Sequence, residues 1–327
     1  MSMTRLLLAL MAALPLLAID GTIINQTTGK PQPGVTVTVI KLGQGMETVG
    51  SATSDAQGKF VFAQEVEGPK LLQASYQGVN YNRVLPPQMP VKDVTVTVYE
   101  ASKQPGDAKV SNHMILLETD GKQINITETV FYNNTGKTTF NDPARGTVKI
   151  YLPPETKGEA KVQVTAPQGM PIQRTPEKTS QANVYAVNYP VKPGETRFDF
   201  NYSLPGDHFK SKILHGPGST HLVAPKGLTL TSSDLTSAGT EPTTQAQIFD
   251  LKTADYDVTL SGSGVLRGPE NAAAQQPEQE QAPPIKEVLP KVYDRLYWIL
   301  GIAFAILAVG FVLLFGQQSG TVKDSRV

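Results

Sequence analysis

The chain of 327 residues has room for two or three domains, and its 29 basic residues balance 29 acidic ones, so no nucleic-acid partner is expected. It has no cysteine, which excludes a disulfide, a thiolate metal site, a cysteine nucleophile and a lipid-modified cysteine. Its 28 glycines and 25 prolines fit many turns and argue against a helical protein.

In chain order, residues 1–18 read as a signal peptide. Arg5 gives a positive start, Leu6 to Leu17 form an apolar run, and the small Ala18 suits the position before a cut. An uncleaved anchor is the competing reading, because Leu16 is large for its place before that cut.

Residues 19–102 carry a β pattern. Expected strands are Ile19 to Ile24, Val35 to Ile40, Met46 to Thr53, Lys59 to Phe62, Leu71 to Tyr76 and Val91 to Tyr99. Asp55 and Gly58 suit a tight turn before Phe60 and Phe62. The pattern Gly21-x-Ile23-x-Asn25, then Gly29-x-Pro31-x-x-Gly34-Val35-x-Val37-x-Val39, then Thr53-x-Asp55-x-x-Gly58-x-Phe60-x-Phe62 and Tyr76-x-Gly78-Val79-x-Tyr81 resembles a carboxypeptidase regulatory-like domain. The resemblance covers about a quarter of the chain. It implies a transthyretin-like, or prealbumin-like, β-sandwich that holds no zinc ligands of its own, and it says almost nothing about activity.

Gln104-Pro105-Gly106 ends that domain. Residues 109–204 are expected to form a second, immunoglobulin-like β-sandwich, with strands at Asn112 to Glu118, Gln123 to Tyr132, Val148 to Leu152, Val162 to Val164, Val184 to Tyr189 and Phe198 to Tyr202. Glu128 interrupts the apolar face of Ile124, Ile126, Val130 and Tyr132, which suggests an edge strand or a bulge. Residues 205–266 continue in β form, either as an extension of the second sandwich or as a small third domain. Their expected strands are Lys212 to Leu214, Thr220 to Val223, Leu228 to Thr231, Ala246 to Leu251 and Tyr256 to Leu260.

Residues 267–295 lack apolar periodicity at first and read as a flexible stalk ending in a juxtamembrane segment. Residues 296–315 run without a charge and, at about 1.5 Å per residue, match the roughly 30 Å of a hydrocarbon core. They are expected to cross the membrane once and leave a short cytoplasmic tail, residues 316–327. The expected fold class is therefore all-β, two sandwiches followed by one C-terminal transmembrane helix. The expected place is the cytoplasmic membrane, with residues 19–290 outside, in the periplasm.

The search for chemistry yields no catalytic, cofactor-binding or metal site. His208, His215 and His221 are close in sequence, but separations of seven and six match no compact ligand motif. Ser219 lies between two of them without a nucleophile elbow. Asp55 is placed for a turn, not for acid–base work. Tyr76, Tyr81, Tyr99 and Tyr202 would stack on sugars if exposed. Glycosylation sequons begin at Asn25, Asn125, Asn133 and Asn201. These observations favour a non-enzymatic, membrane-anchored envelope protein that contacts another envelope or membrane protein. A glycan or cell-wall binding module, and an enzyme with an unrecognised site in residues 110–260, are the alternatives.

Overall fold

The computed structural model describes residues 19–43, 45–215 and 220–266, all within one compact unit. The first sandwich contains β1 (Ile19–Asn25), β2 (Lys30–Pro31), β3 (Thr36–Leu42), β4 (Met46–Thr53), β5 (Lys59–Phe62), β6 (Lys70–Tyr76), β7 (Val79–Leu85) and β8 (Val94–Val98). One antiparallel sheet has the order β4-β3-β6-β7. In the other, β1 pairs β2 and β5 antiparallel and β8 parallel. Ile19 and Ile23, Val37 and Val39, and Phe60 and Phe62 alternate into one core between the sheets. Gly21 lies on that core face of β1. A Cβ there would stand 2.0 Å from the Val94 carbonyl oxygen, so only glycine admits the close approach of β8.

Strand β7 has no counterpart among the strands expected from sequence. It is set by a two-residue hairpin turn, Gln77-Gly78, with φ of 47° and 74°. Positive φ at both positions matches the twist of the flanking strands. Val79, Tyr81 and Leu85 are buried, but three consecutive exposed residues before Leu85 obscure the alternation.

After β9 (Glu100–Ser102), the chain builds a larger body from β10 (Ala108–Thr119), β11 (Gln123–Asn134), β12 (Thr138–Phe140), β13 (Val148–Tyr151), β14 (Lys161–Thr165), β15 (Ile172–Arg174), β16 (Glu177–Lys178), β17 (Val184–Val187), β18 (Gly194–Pro205), β19 (His208–Lys212), β20 (Thr220–Ala224), β21 (Leu228–Thr231), β22 (Leu235–Thr240), β23 (Gln247–Leu251) and β24 (Asp255–Gly262). Eight strands form one sheet in the order β15-β14-β18-β11-β10-β20-β23-β22. Two three-stranded sheets, β13-β17-β16 and β19-β24-β21, share its hydrophobic core. The parallel pairing of β10 with β20 carries residues beyond 204 into that sheet. Lys212 closes β19, and Ile213 and Leu214 lie outside any strand, so the expected strand at Lys212 to Leu214 shifts towards His208.

The two bodies meet along β9 and β12, which pair parallel. The Tyr81 hydroxyl donates to the Tyr99 carbonyl at 2.9 Å and lies 2.8 Å from the Thr139 hydroxyl. Lys192 reaches across to the Asn80 carbonyl at 2.5 Å, with its ammonium 5.2 Å from the centre of the Tyr81 ring. The Glu100 carboxylate accepts bonds from Asn25 at 2.6 Å, Tyr76 at 2.8 Å and Gln77 at 2.5 Å. Burial alone would raise its pKa, but those donors outweigh burial and hold it below the usual carboxylate range.

The membrane expectations are corrected. Among the described residues no helix is long and apolar enough to cross a membrane. Their one helical element is the three-residue 3₁₀ turn Pro154–Thr156, whereas a span needs about 20 residues. What stands is an all-β, β-sandwich architecture. The transmembrane helix, the single-pass topology in the cytoplasmic membrane, the membrane anchoring and the membrane as a partner are withdrawn. The segments 1–18, 267–295, 296–315 and 316–327, on which those expectations rested, lie outside the described residues.

Candidate functional site

The three histidines weighed for metal binding do not converge. His221 Nδ1 lies 2.7 Å from Asp250, and His208 stands 3.9 Å from both Asp207 and Asp257. His215 instead meets His113, with Nε2 3.0 Å from Nδ1. Among the described residues there is no cluster of three or more His, Asp or Glu that could hold a metal. Ser219 lies outside them. Asp55 Oδ1 accepts from the Gln57 and Lys59 amides at 2.9 and 2.8 Å, so its carboxylate closes the turn.

The tyrosines offer no exposed stacking platform. Tyr81 and Tyr202 are buried, and Tyr76 and Tyr99 are half-buried against the first core. Asn25 is wholly buried and bonded to Gln32 and Glu100, which removes it as a glycosylation acceptor.

The sequence reading missed the most concentrated polar cluster. Glu128 is 2% exposed in the middle of the eight-stranded sheet, neither on an edge strand nor at a bulge. Its two oxygens accept from His113 Nε2 at 2.9 Å and from the Tyr202 hydroxyl. Register explains the meeting. His113 faces Val130 across β10 and β11, one diagonal step from Glu128, while Tyr202 faces Ile126 from β18. A carboxylate oxygen accepts, so the bond to Glu128 places a hydrogen on His113 Nε2, while His113 Nδ1 faces His215 Nε2 at 3.0 Å. Burial first, and then the Glu128 charge, push the Tyr202 hydroxyl well above its ordinary pKa, so it remains a donor. The charged group is retained in the core because every oxygen finds a donor. Neighbouring residues in sequence give no sign of this, since His113 comes from the opposite arm of the hairpin.

From His215 the cluster reaches a cleft of about 280 Å³ between the residues after β9 and the second body. Lys103, Arg145 and Lys149 share its wall with His215. Val110, Tyr132 and Leu214 supply apolar surface, backed by the buried Val130, Phe140 and Val148.

The second notable surface is the sheet's open end. Strand β22 pairs β23 on one side and no described strand on the other. Thr236, Ser237, Ala238, Gly239 and Thr240 are all exposed, and the strand carries neither a charge nor a proline.

Fold and surfaces thus define an all-β protein of sandwich domains without an assembled catalytic set among the described residues. Residues 18–101 are a carboxypeptidase regulatory-like domain, a non-catalytic module, as the sequence motifs imply. No curated protein matches the chain. Among solved structures, an M1 zinc metallopeptidase from Deinococcus radiodurans is similar at 12% identity over 47% of this chain and 42% of its own, with a TM-score of 0.24. A mutant of that peptidase bound to a Tyr-Ser-Ala substrate matches at 12% identity over the same shares, with a TM-score of 0.25. The chain spans less than half the length of either, and likeness at that level carries no argument about activity.

Proposed function

We propose that this chain is a non-enzymatic interaction protein whose joined sandwiches receive a β-strand of a partner protein on the edge of β22. The observation that supports this reading is the unprotected edge. Natural sheets blunt their edges with charge, proline or short length, because unpaired amides and carbonyls template further pairing. Among the other edges, β4 carries Glu47, β7 carries Arg83 and β15 has three residues ending in Arg174, while the uncharged β8 and β21 are shorter than β22, at five and four residues. Strand β22 has six residues and only the bulge between Ser237 and Gly239 to interrupt it. Strand addition supplies affinity through the main chain, so it asks for an open edge without a deep pocket.

Photo-crosslinking tests the proposal. A photoreactive residue at Ser237 is expected to capture one partner reproducibly, while the same residue at exposed Lys210 on β19 captures none. Equal labelling from both positions, or none from Ser237, would reject strand addition at this edge.

A further inference from the structure

The cleft beside His215 combines two features that a solvated surface rarely joins. Its basic groups come from separate parts of the chain: the charged Lys103 follows β9, Arg145 precedes β13 and Lys149 lies within β13, while the imidazole of His215 follows β19. The carboxylate facing the same space is Asp142, 3.8 Å from Arg145 Nε. Lys103 and Lys149 make no ion pair among the described residues. Like charges drawn to one rim repel, and an opposite charge placed between them relieves that repulsion. Beneath the rim, half-buried Val110 and Tyr132 and exposed Leu214 present an apolar floor, backed by the buried Val130, Phe140 and Val148. Water makes few hydrogen bonds with such a floor, so an apolar group displaces it favourably.

We infer that this cleft is a binding site for a small amphipathic anion, a carboxylate carried on a short apolar body. The carboxylate sits between Lys103, Lys149 and the Arg145 fork, and the body lies against Val110, Tyr132 and Leu214. Size restricts the ligand, because the cleft of about 280 Å³ lies just below the roughly 300–1,000 Å³ of drug-sized sites. His215 ties the site to the interior through its contact with His113, which in turn is bonded to Glu128. An anion in the cleft therefore reports on the buried cluster. The inference is independent of the β22 edge.

The four histidines provide the readout, since His215 lines the cleft, His113 touches it from the interior, and the other two do neither. Hexanoate, hexanol and inorganic phosphate are titrated separately into the full-length protein while the imidazole proton resonances are followed by NMR. Hexanoate is expected to shift the His215 and His113 signals saturably and leave those of His208 and His221 in place. Hexanol, which lacks the charge, and phosphate, which lacks the body, are each expected to bind roughly tenfold more weakly or worse. Both lysine side chains are exposed, so the double variant Lys103→Ala/Lys149→Ala keeps the fold and is expected to weaken hexanoate by roughly tenfold. The inference is overturned if hexanoate gives no saturable shift at His215, if all four histidines move together, or if the double variant binds hexanoate as well as the parent. Phosphate binding as tightly as hexanoate would also overturn it, because the apolar floor would then contribute nothing.

Discussion

Glu128 shows how much one side chain can depend on partners distant in sequence. Its two oxygens take hydrogens from His113 and Tyr202, whose hydroxyl also meets Ser211. In Glu128→Gln the amide keeps one acceptor oxygen and loses the charge, and its NH2 finds an acceptor in His113 only if that ring changes tautomer. We expect a loss of about 2–4 kcal/mol in urea unfolding, against about 1–2 kcal/mol for Tyr202→Phe, which removes one donor only. Equal small losses for both would mean that the cluster is hydrated. Lys192 gives a prediction in pH. Burial at the joint lowers its pKa to about 8, below the ordinary lysine value of about 10.4. Below pH 8 the lysine is charged in both states and the burial cost is present in full. Between about pH 8 and 10 the unfolded chain binds more protons, so stability rises with pH. Above pH 10 the buried Tyr81, raised to about 12, reverses the trend. A urea midpoint that climbs from pH 8 to 9.5, and stays flat in Lys192→Met, is the expected result. The carboxylate cluster was illegible in the sequence because the residues that satisfy it lie in other strands. The turn role of Asp55 was legible because its partners lie within four residues.

At the scale of elements, alternation announces a strand only when one face is apolar and the other polar. Strands β1, β3, β5 and β18 obey this, and their cores follow directly from their sequences. Strand β22 does not, since Leu235 is its single buried residue, and pairing with β23 sets it. The surface most relevant to the proposed function is therefore the one that hydrophobic patterning conceals. Glycine in β1 marks a different limit. Gly21→Ala would drive a methyl group into the Val94 carbonyl and the Phe60 ring, so β8 must separate from β1. We expect a loss of at least about 3 kcal/mol by chemical denaturation, far beyond the roughly 1 kcal/mol of an ordinary strained glycine position such as Gly29. A near-neutral Gly21→Ala would show that β8 is held less closely than described.

Across the whole molecule, the regulatory-like domain and the larger body join through the β9–β12 ladder, the Tyr81–Thr139 contact and Lys192. The first sandwich was legible through its family motifs; the joint was not, because it brings Tyr81 to Thr139 and Asn80 to Lys192 across long stretches of chain. The parallel pairing of β10 with β20 was equally hidden, since no local pattern specifies it. Calorimetry of the full protein is expected to give one cooperative transition, with Tyr81→Phe/Thr139→Val broadening it towards two. Two separate transitions in the parent protein would show that the bodies unfold independently.

Recovery of the partner by an edge-blocked variant tests the central claim most directly. Ala238 occupies the bulge of β22, a place that tolerates proline, and Ala238→Pro removes a backbone donor from that edge strand and puts a ring on it. Affinity purification under native conditions, with quantitative mass spectrometry, is expected to show at least about a tenfold loss of the partner captured through Ser237 while the unfolding midpoint is unchanged. Undiminished recovery of that partner by Ala238→Pro would contradict strand addition on β22.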